Sequence, residues 1–588
     1  MTIEPTRWTL DDLLPPPGSE ALEQFLDALR ERIDRFTGYR EVLGPGLEKE
    51  RFLTILDDYE AITADVMRLQ AYAHLYFAED QSNQQALSFK AKAQQFVAEA
   101  ENKTLFFTLW WKSLDDESAE PLLAVSGDRR YFLEQLRRFK PHTLSEPEER
   151  LINIKDVNGL HELLTLYDML TSRYTYRMTV EGEEKELTRG ELGRYITGAD
   201  AALRETAYRR LLQRYADDAT ILGEIYAARV RDWYAEKVNL RHFASPIAAR
   251  NLGNDIPDEV VETLLTVTRR NVGLFQRYFR FKAQALGMDK LRRFDIYAPL
   301  DEADHRYTFA EALQLVDEGY RSFSPRLADL ARQVIDERHL DAEVRKNKAD
   351  GAFCYGVLPD LTPWVLVSFD GRIRDVSTLA HELGHAVHAM MAADHSPLTF
   401  HASLPLAETA SVFGEMLLTD RMLAEEDDPA VHRTLLNTFL SDSYATIVRQ
   451  AYFVLFEKEA HRLIHEGATV DQLNERYLAN LREQFGDAVD LDEAFRYEWL
   501  AIPHIYFVPF YCYAYAFGQL LVLALYRKYK AMGREAFEPL YLRILAHGGA
   551  TPPEQVLREA GFDMHDPAFW QGGFDLIAEM LDRLEALA

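Results

Sequence analysis

Asp375-Val376-Ser377-Thr378-Leu379-Ala380-His381-Glu382-Leu383-Gly384-His385-Ala386-Val387-His388 is the stretch on which the reading of this chain turns. Asp375 or Ser377 can cap a helix that starts here. On that helix His381 and His385 lie one turn apart on one face, so both imidazoles can grip a single zinc ion. Glu382 follows the first histidine and can take a proton from a water that the ion has made acidic, with a pKa of roughly 7. With 17 His and 95 Asp+Glu among 588 residues, chance yields this spacing roughly 0.08 times per chain. A second pair, His461 and His465, has the same spacing but Arg462 between them. It lacks the acid and reads as ordinary helix histidines.

Zinc held by two histidines needs a third protein ligand and one open position. Downstream, Leu404-Pro405-Leu406-Ala407-Glu408-Thr409-Ala410-Ser411-Val412-Phe413-Gly414-Glu415 reads as a second helix begun near Pro405. Its small residues let it pack closely on the first helix, which makes Glu408 the third ligand. Glu415 shares that face, where it can hydrogen-bond a ligating histidine. Gly384 costs a helix about 1 kcal/mol relative to alanine, a cost that makes sense where another backbone must come close. His388 lies too far along the axis to join the same site and is expected to line the cleft.

Just upstream, Gly351–Gly371 breaks the helical pattern. Trp364-Val365-Leu366-Val367-Ser368-Phe369 is β-branched and aromatic, and reads as a short strand near a sheet edge. Such an edge can pair with an extended peptide and bring its carbonyl to the metal. A hairpin is expected over Tyr174–Leu187, turning at Glu181-Gly182. Elsewhere the chain reads as amphipathic helix, for example Glu20–Phe36, Phe52–Leu75, Gln85–Leu114 and Thr434–His465.

The formal net charge is −29, a surface that repels nucleic-acid backbones and anionic membranes. Neither is expected as a partner. Two cysteines, Cys354 and Cys512, cannot build a disulfide framework and fit a reducing compartment. Met1-Thr2-Ile3-Glu4-Pro5 has no basic region followed by an apolar run, so no signal peptide is expected. Ile502–Leu525 is apolar but too interrupted for a membrane span. The expectation is a cytoplasmic protein.

These residues resemble a known family. His381-Glu-Leu-Gly-His385-Ala-Val-His388 with Ala407-Glu408-Thr-Ala-Ser411 is similar to the oligoendopeptidase F branch of the thimet oligopeptidase family. The likeness extends to Trp8-Thr-Leu-Asp-Asp-Leu13, Gly351-Ala-Phe353, Ile502-Pro-His504 through Gly518, and Ala546-His-Gly-Gly549. It implies a mostly α, large, helical, two-lobed peptidase, with a small β-sheet beside a zinc site in a deep internal channel. It implies an N-terminal helical region over 1–195 and a catalytic region over 196–588. The activity implied is cleavage of internal bonds in short peptides. It further implies one zinc per chain, held by His381, His385 and Glu408, with Glu382 as the base.

The family's transition-state-stabilising histidine carries over to His504, and its assisting tyrosines fall among Tyr506, Tyr511, Tyr513 and Tyr515. Pro503 and Pro509 suggest a loop with helix resuming after Pro509. On that helix Tyr511 and Tyr515 share a face, which assigns them to the cleft and Tyr513 to packing. Two other readings stay open on the residues alone: a helical metallocarboxypeptidase and a non-catalytic peptide-binding scaffold.

Overall fold

The computed structural model describes residues 4–300 and 306–587. Met1–Ile3, part of the stretch read against a signal peptide, lie outside the described residues. The chain divides into two compact units, each drawn from three segments. The first comprises Met1–Lys140, His305–Glu425 and Lys528–Asp563.

In the first unit, α1 (Glu20–Thr37) begins where Ser19 accepts a hydrogen bond from the Leu22 amide. It buries Leu22, Leu29, Ile33 and Phe36, which recur on one helical face. Helices α2 (Lys49–Glu79) and α3 (Gln84–Ser113) pack with it around an aromatic core in which Phe52 stacks on Trp111 at 5.5 Å. The sequence expectations for these three helices hold to within a few residues at each end. Farther on, α4 (Phe309–Phe323) opens with a capping box between Thr308 and Glu311.

A three-stranded sheet follows, of β1 (Leu340–Asp341), β2 (Phe353–Tyr355) and β3 (Trp364–Leu366). The strand expected at an edge is instead central. β3 pairs in parallel with β1, Leu340 opposite Val365, and antiparallel with β2, Cys354 opposite Val365. All three β3 residues are buried. An uninterrupted apolar run is the pattern of a strand covered on all sides, and Pro363 precedes the strand rather than removing a donor from it. The two strands with a single neighbour in this sheet are β1 and β2.

The sheet leads directly into α5 (Ile373–Met391), which carries the histidine pair. A short turn of helix at Leu404–Ala407 and then α6 (Thr409–Glu425) complete the region. The break between them falls at Glu408, which caps the first piece with φ −80° and ψ −1°.

The second unit comprises Pro141–Asp304, Glu426–Arg527 and Met564–Ala588. It contains the expected hairpin, Tyr176–Val180 paired with Glu183–Leu187. Glu181 and Gly182 both take positive φ, +54° and +84°, as a two-residue turn requires. The long helix expected over Thr434–His465 runs as Pro429–Ser443, a π-helical turn at Tyr444–Val448, and α7 (Arg449–His465). Two further expectations are corrected near the prolines. Pro503–Phe507 is a short helix and not a loop, because proline is well accepted in a first helical turn. Helix resumes only at α8 (Tyr513–Met532), so Tyr511 precedes it. Among the described residues no helix is long and apolar enough to cross a membrane.

Candidate metal centre and active site

Asp375 sits at the third position of α5, where its carboxylate accepts from the amides of Asp370 (2.9 Å) and Arg372 (3.0 Å). The helix therefore starts slightly earlier than a cap at Asp375 or Ser377 would place it. Gly384 has the close approach its cost suggested. A Cβ there would stand 2.5 Å from Ser411 Cα and 2.6 Å from the Ala410 carbonyl oxygen, both backbone atoms of α6. On α6, a Cβ at Gly414 would collide with the Tyr320 ring, whose hydroxyl donates to the Ala380 carbonyl of α5. α4, α5 and α6 are thus locked together by contacts that only glycine permits.

This packing brings His381, His385 and Glu408 together. Their ligand atoms lie within 4.8 Å of one another, and no other such His/Cys/Asp/Glu group occurs among the described residues. His381 Nε2 and His385 Nε2 are 3.2 Å apart, and Glu408 Oε2 is 3.4 Å and 3.6 Å from them. A tetrahedral ion with bonds of about 2.0–2.1 Å needs donors roughly 3.3–3.4 Å apart. Two imidazoles and one carboxylate in this triangle fit a divalent metal of the zinc type.

The surrounding hydrogen bonds orient the ligands. His381 Nδ1 is paired with Glu415, which directs the ring's other nitrogen toward His385 and Glu408. His385 and His388 both reach the backbone of Ala407. Ser411 Oγ donates to Glu408 Oε2 at 2.7 Å.

The electrostatics without a cation are those of crowded carboxylates. Burial pushes Glu382 up to about 7, with Glu408 and Glu415 adding to it and His381 opposing. Burial alone would lower His381, yet the hydrogen bond and charge of Glu415, with Glu408 and Glu382, hold it up to about 9. For Glu408 burial works upward, but His385 and His381 win and hold its carboxyl below the ordinary range. Burial lowers His388 to about 4 with help from His385, so that ring is neutral.

Glu382 lies at a cavity of about 330 Å³, along with His385, His388, Cys354, Gly356 and His401. Its carboxylate takes a hydrogen bond from the Cys354 amide of β2. A second cavity of about 310 Å³ shares Cys354, Gly356 and His401 and continues past Tyr355 to Met67 and Gln70. His401 and Cys354 line both, and no spacing pattern in the sequence points to either.

In the second unit, His504, Tyr511 and Tyr515 come together. The Tyr515 hydroxyl and His504 Nε2 are 3.3 Å apart. The Tyr511 ring meets Tyr515 edge-on at 5.2 Å and lies parallel to His504 at 6.3 Å. Burial lowers the His504 pKa, with Arg449 contributing. Tyr513 is buried, and its hydroxyl accepts from Asn254 Nδ2 at 2.9 Å. Tyr506 is fully buried and stacks on Tyr167 at 4.1 Å. His461 and His465 part company: the first is buried against Phe510, and the second stacks on Tyr234.

The chain is similar to known oligopeptidases over most of its length. Residues 195–576 match the family model described as peptidase family M3, and residues 110–176 match that of oligopeptidase F. Group B oligopeptidase PepB of Streptococcus agalactiae is 28% identical over 570 residues, 95% of this chain and 93% of that protein. Oligopeptidase PepF of Bacillus subtilis is 25% identical over 591 residues, 99% of this chain and 87% of that protein. The crystal structure of oligoendopeptidase-F from Enterococcus faecium superposes with a TM-score of 0.72 at 24% identity, covering 96% of this chain and 98% of that one.

Proposed function

This chain belongs to peptidase family M3 and is a metallo-oligopeptidase, and on that premise we propose that it is a zinc endopeptidase cutting internal bonds of short peptides. His381, His385 and Glu408 hold one zinc ion per chain. The single observation that carries this is their donor triangle, 3.2–3.6 Å on a side, with Glu382 adjoining it in the chain. Zinc, when bound, supplies Lewis acidity that lowers the pKa of a water to roughly 7.

The chain's own residues do the rest. Glu382 takes a proton from the attacking water and returns it to the leaving amine, as a general base and then an acid. Glu415 holds His381 in the tautomer that presents Nε2. A peptide pairs in extended form with β2, which is bonded on one side only, to β3. This moves the docking edge from Trp364–Phe369 to Phe353–Tyr355. His388 lines the cavity beside the base. His504, Tyr511 and Tyr515 donate hydrogen bonds to the oxygen on which negative charge grows. All of these side chains lie within 196–588, the catalytic region, and 1–195 is the N-terminal helical region. Cys354 and Cys512 are unpaired, which accords with a cytoplasmic setting.

The test is a library of peptides of mixed length with amidated C-termini, incubated with and without chelator and read by mass spectrometry. Internal cuts that stop on chelation and return with zinc are expected. Failure to cut any amidated peptide, with trimming of free C-termini instead, would point to a carboxypeptidase.

A further inference from the structure

The segment carrying His504, Tyr511 and Tyr515 is tied down by side chains from distant parts of the second unit. Tyr167 donates to the Leu500 carbonyl at 3.0 Å and Arg229 Nε to the Tyr506 carbonyl at 3.1 Å. Two further ties fall on one peptide group. Arg250 Nε donates to the Pro509 carbonyl at 3.0 Å, and the Phe510 amide donates to Glu457 Oε1 at 2.8 Å. The oxygen and the N–H of the single peptide joining Pro509 to Phe510 are therefore each held by a different side chain.

That peptide is at the centre of a turn. The Tyr511 amide donates to the Val508 carbonyl at 3.1 Å, closing a four-residue turn over Pro509 and Phe510. Phe510 has φ +59°. A positive φ at the third position marks the type II form, which favours glycine there. Type I differs from type II by a flip of this central peptide, and it is the form a bulky residue such as phenylalanine prefers. A flip would turn the N–H toward Arg250 and the carbonyl oxygen toward the Glu457 carboxyl, losing both hydrogen bonds. Glu457 is fully buried and Arg250 half-buried, so water cannot readily replace what is lost. The Phe510 ring is buried beside His461 at 4.5 Å between centroids.

We propose that Arg250 and Glu457 are positioning residues for peptide hydrolysis: by clamping the Pro509–Phe510 peptide they hold the type II turn that aims Tyr511 at His504 and Tyr515. The inference rests on the function proposed above. Neither residue reaches the reacting atoms in this role. They act through the orientation of Tyr511, and a misplacement of about 1 Å in a catalytic group can cost roughly 100-fold in rate.

The experiment compares kcat, KM, zinc content and urea midpoint for wild type, Glu457→Leu, Glu457→Gln, Arg250→Met and Glu457→Leu/Phe510→Gly on one amidated peptide. Glu457→Leu and Arg250→Met should each lower kcat by roughly 10–100-fold, with KM and zinc content near wild type. Glu457→Gln keeps an acceptor oxygen and should stay within a few-fold of wild type. The decisive variant is the double one, because glycine takes positive φ freely. It should regain at least about fivefold in kcat over Glu457→Leu while its urea midpoint falls further, since a buried ring has gone. A purely structural role for Glu457 predicts that kcat and midpoint fall together in the double variant, and that result would overturn the proposal. Arg250→Met provides the same reading should Glu457→Leu fail to fold: an unchanged kcat there also overturns it. If wild type itself cuts no peptide, the proposed function fails. If it cuts and no clamp variant changes kcat, only the clamp fails.

Discussion

Replacing Gly384 by alanine should loosen the metal site from behind. The new methyl group would stand 2.5 Å from Ser411 Cα, 2.6 Å from the Ala410 oxygen and 2.8 Å from the Ala410 carbonyl carbon. All three are backbone atoms, so no side chain can swing aside. Restoring ordinary contact requires α6 to withdraw by ~1 Å, an overpacking strain that costs about 1–3 kcal/mol. Against this, alanine in place of glycine inside a helix returns about 1 kcal/mol. The net is a loss of up to ~2 kcal/mol in folding stability.

The metal should feel more than the fold does. Glu408 immediately precedes α6 and Glu415 lies on it, so both shift away from the histidines of α5 together. Loss of a well-placed outer partner of a metal ligand costs roughly 10–100-fold in affinity, and Gly384→Ala disturbs an inner and an outer group at once. Zinc affinity is read by competition with a chromophoric chelator, and stability by urea unfolding of the metal-free protein. A variant that binds zinc with wild-type affinity and gains the ~1 kcal/mol of helix propensity would refute the close-approach argument.

Tyr511→Phe and Tyr515→Phe should each lower kcat by roughly 10²–10³-fold with zinc content unchanged, while Tyr513→Phe should leave turnover nearly intact. A crippled Tyr513→Phe beside silent Tyr511→Phe and Tyr515→Phe would reverse the assignment. For His461, burial, helped by Arg229, lowers the pKa from 6.5 to about 3. A folded-state value below the unfolded one gives stability that is complete above pH 6.5 and lost as pH falls toward 3. His461→Leu removes that dependence. Its stability advantage over wild type should grow from pH 7 to pH 4, as followed by thermal unfolding, and parallel curves at all pH values would contradict it.

The parts of this molecule that local spacing controls were legible in the sequence. Two histidines one turn apart must share a helix face, and small residues around Glu408 mark a helix that can come close. The hairpin at Glu181-Gly182 was equally local. What spacing does not control is not legible there. The order of the three-stranded sheet depends on which strand finds two neighbours. Trp364-Val365-Leu366 carries that information only in its unbroken apolarity, which Pro363 obscured. α8 starts later than the proline spacing suggests because Pro509 opens a turn held by side chains from elsewhere. Arg250 is 259 residues from Pro509 and Glu457 is 53 from Phe510, distances at which no periodicity survives. His401 and Cys354 line the cavities for the same reason, through tertiary contact alone.

The central claim is that Glu382 is the base of a metal-dependent peptide hydrolysis. Its most direct test is the turnover of an amidated internally quenched peptide by Glu382→Gln loaded with one zinc equivalent. The amide keeps the shape of the side chain but cannot accept the proton. Turnover should fall by at least about 10²–10⁴-fold, with zinc still bound and the peptide still held. Near-normal turnover by the zinc-loaded variant would contradict the account.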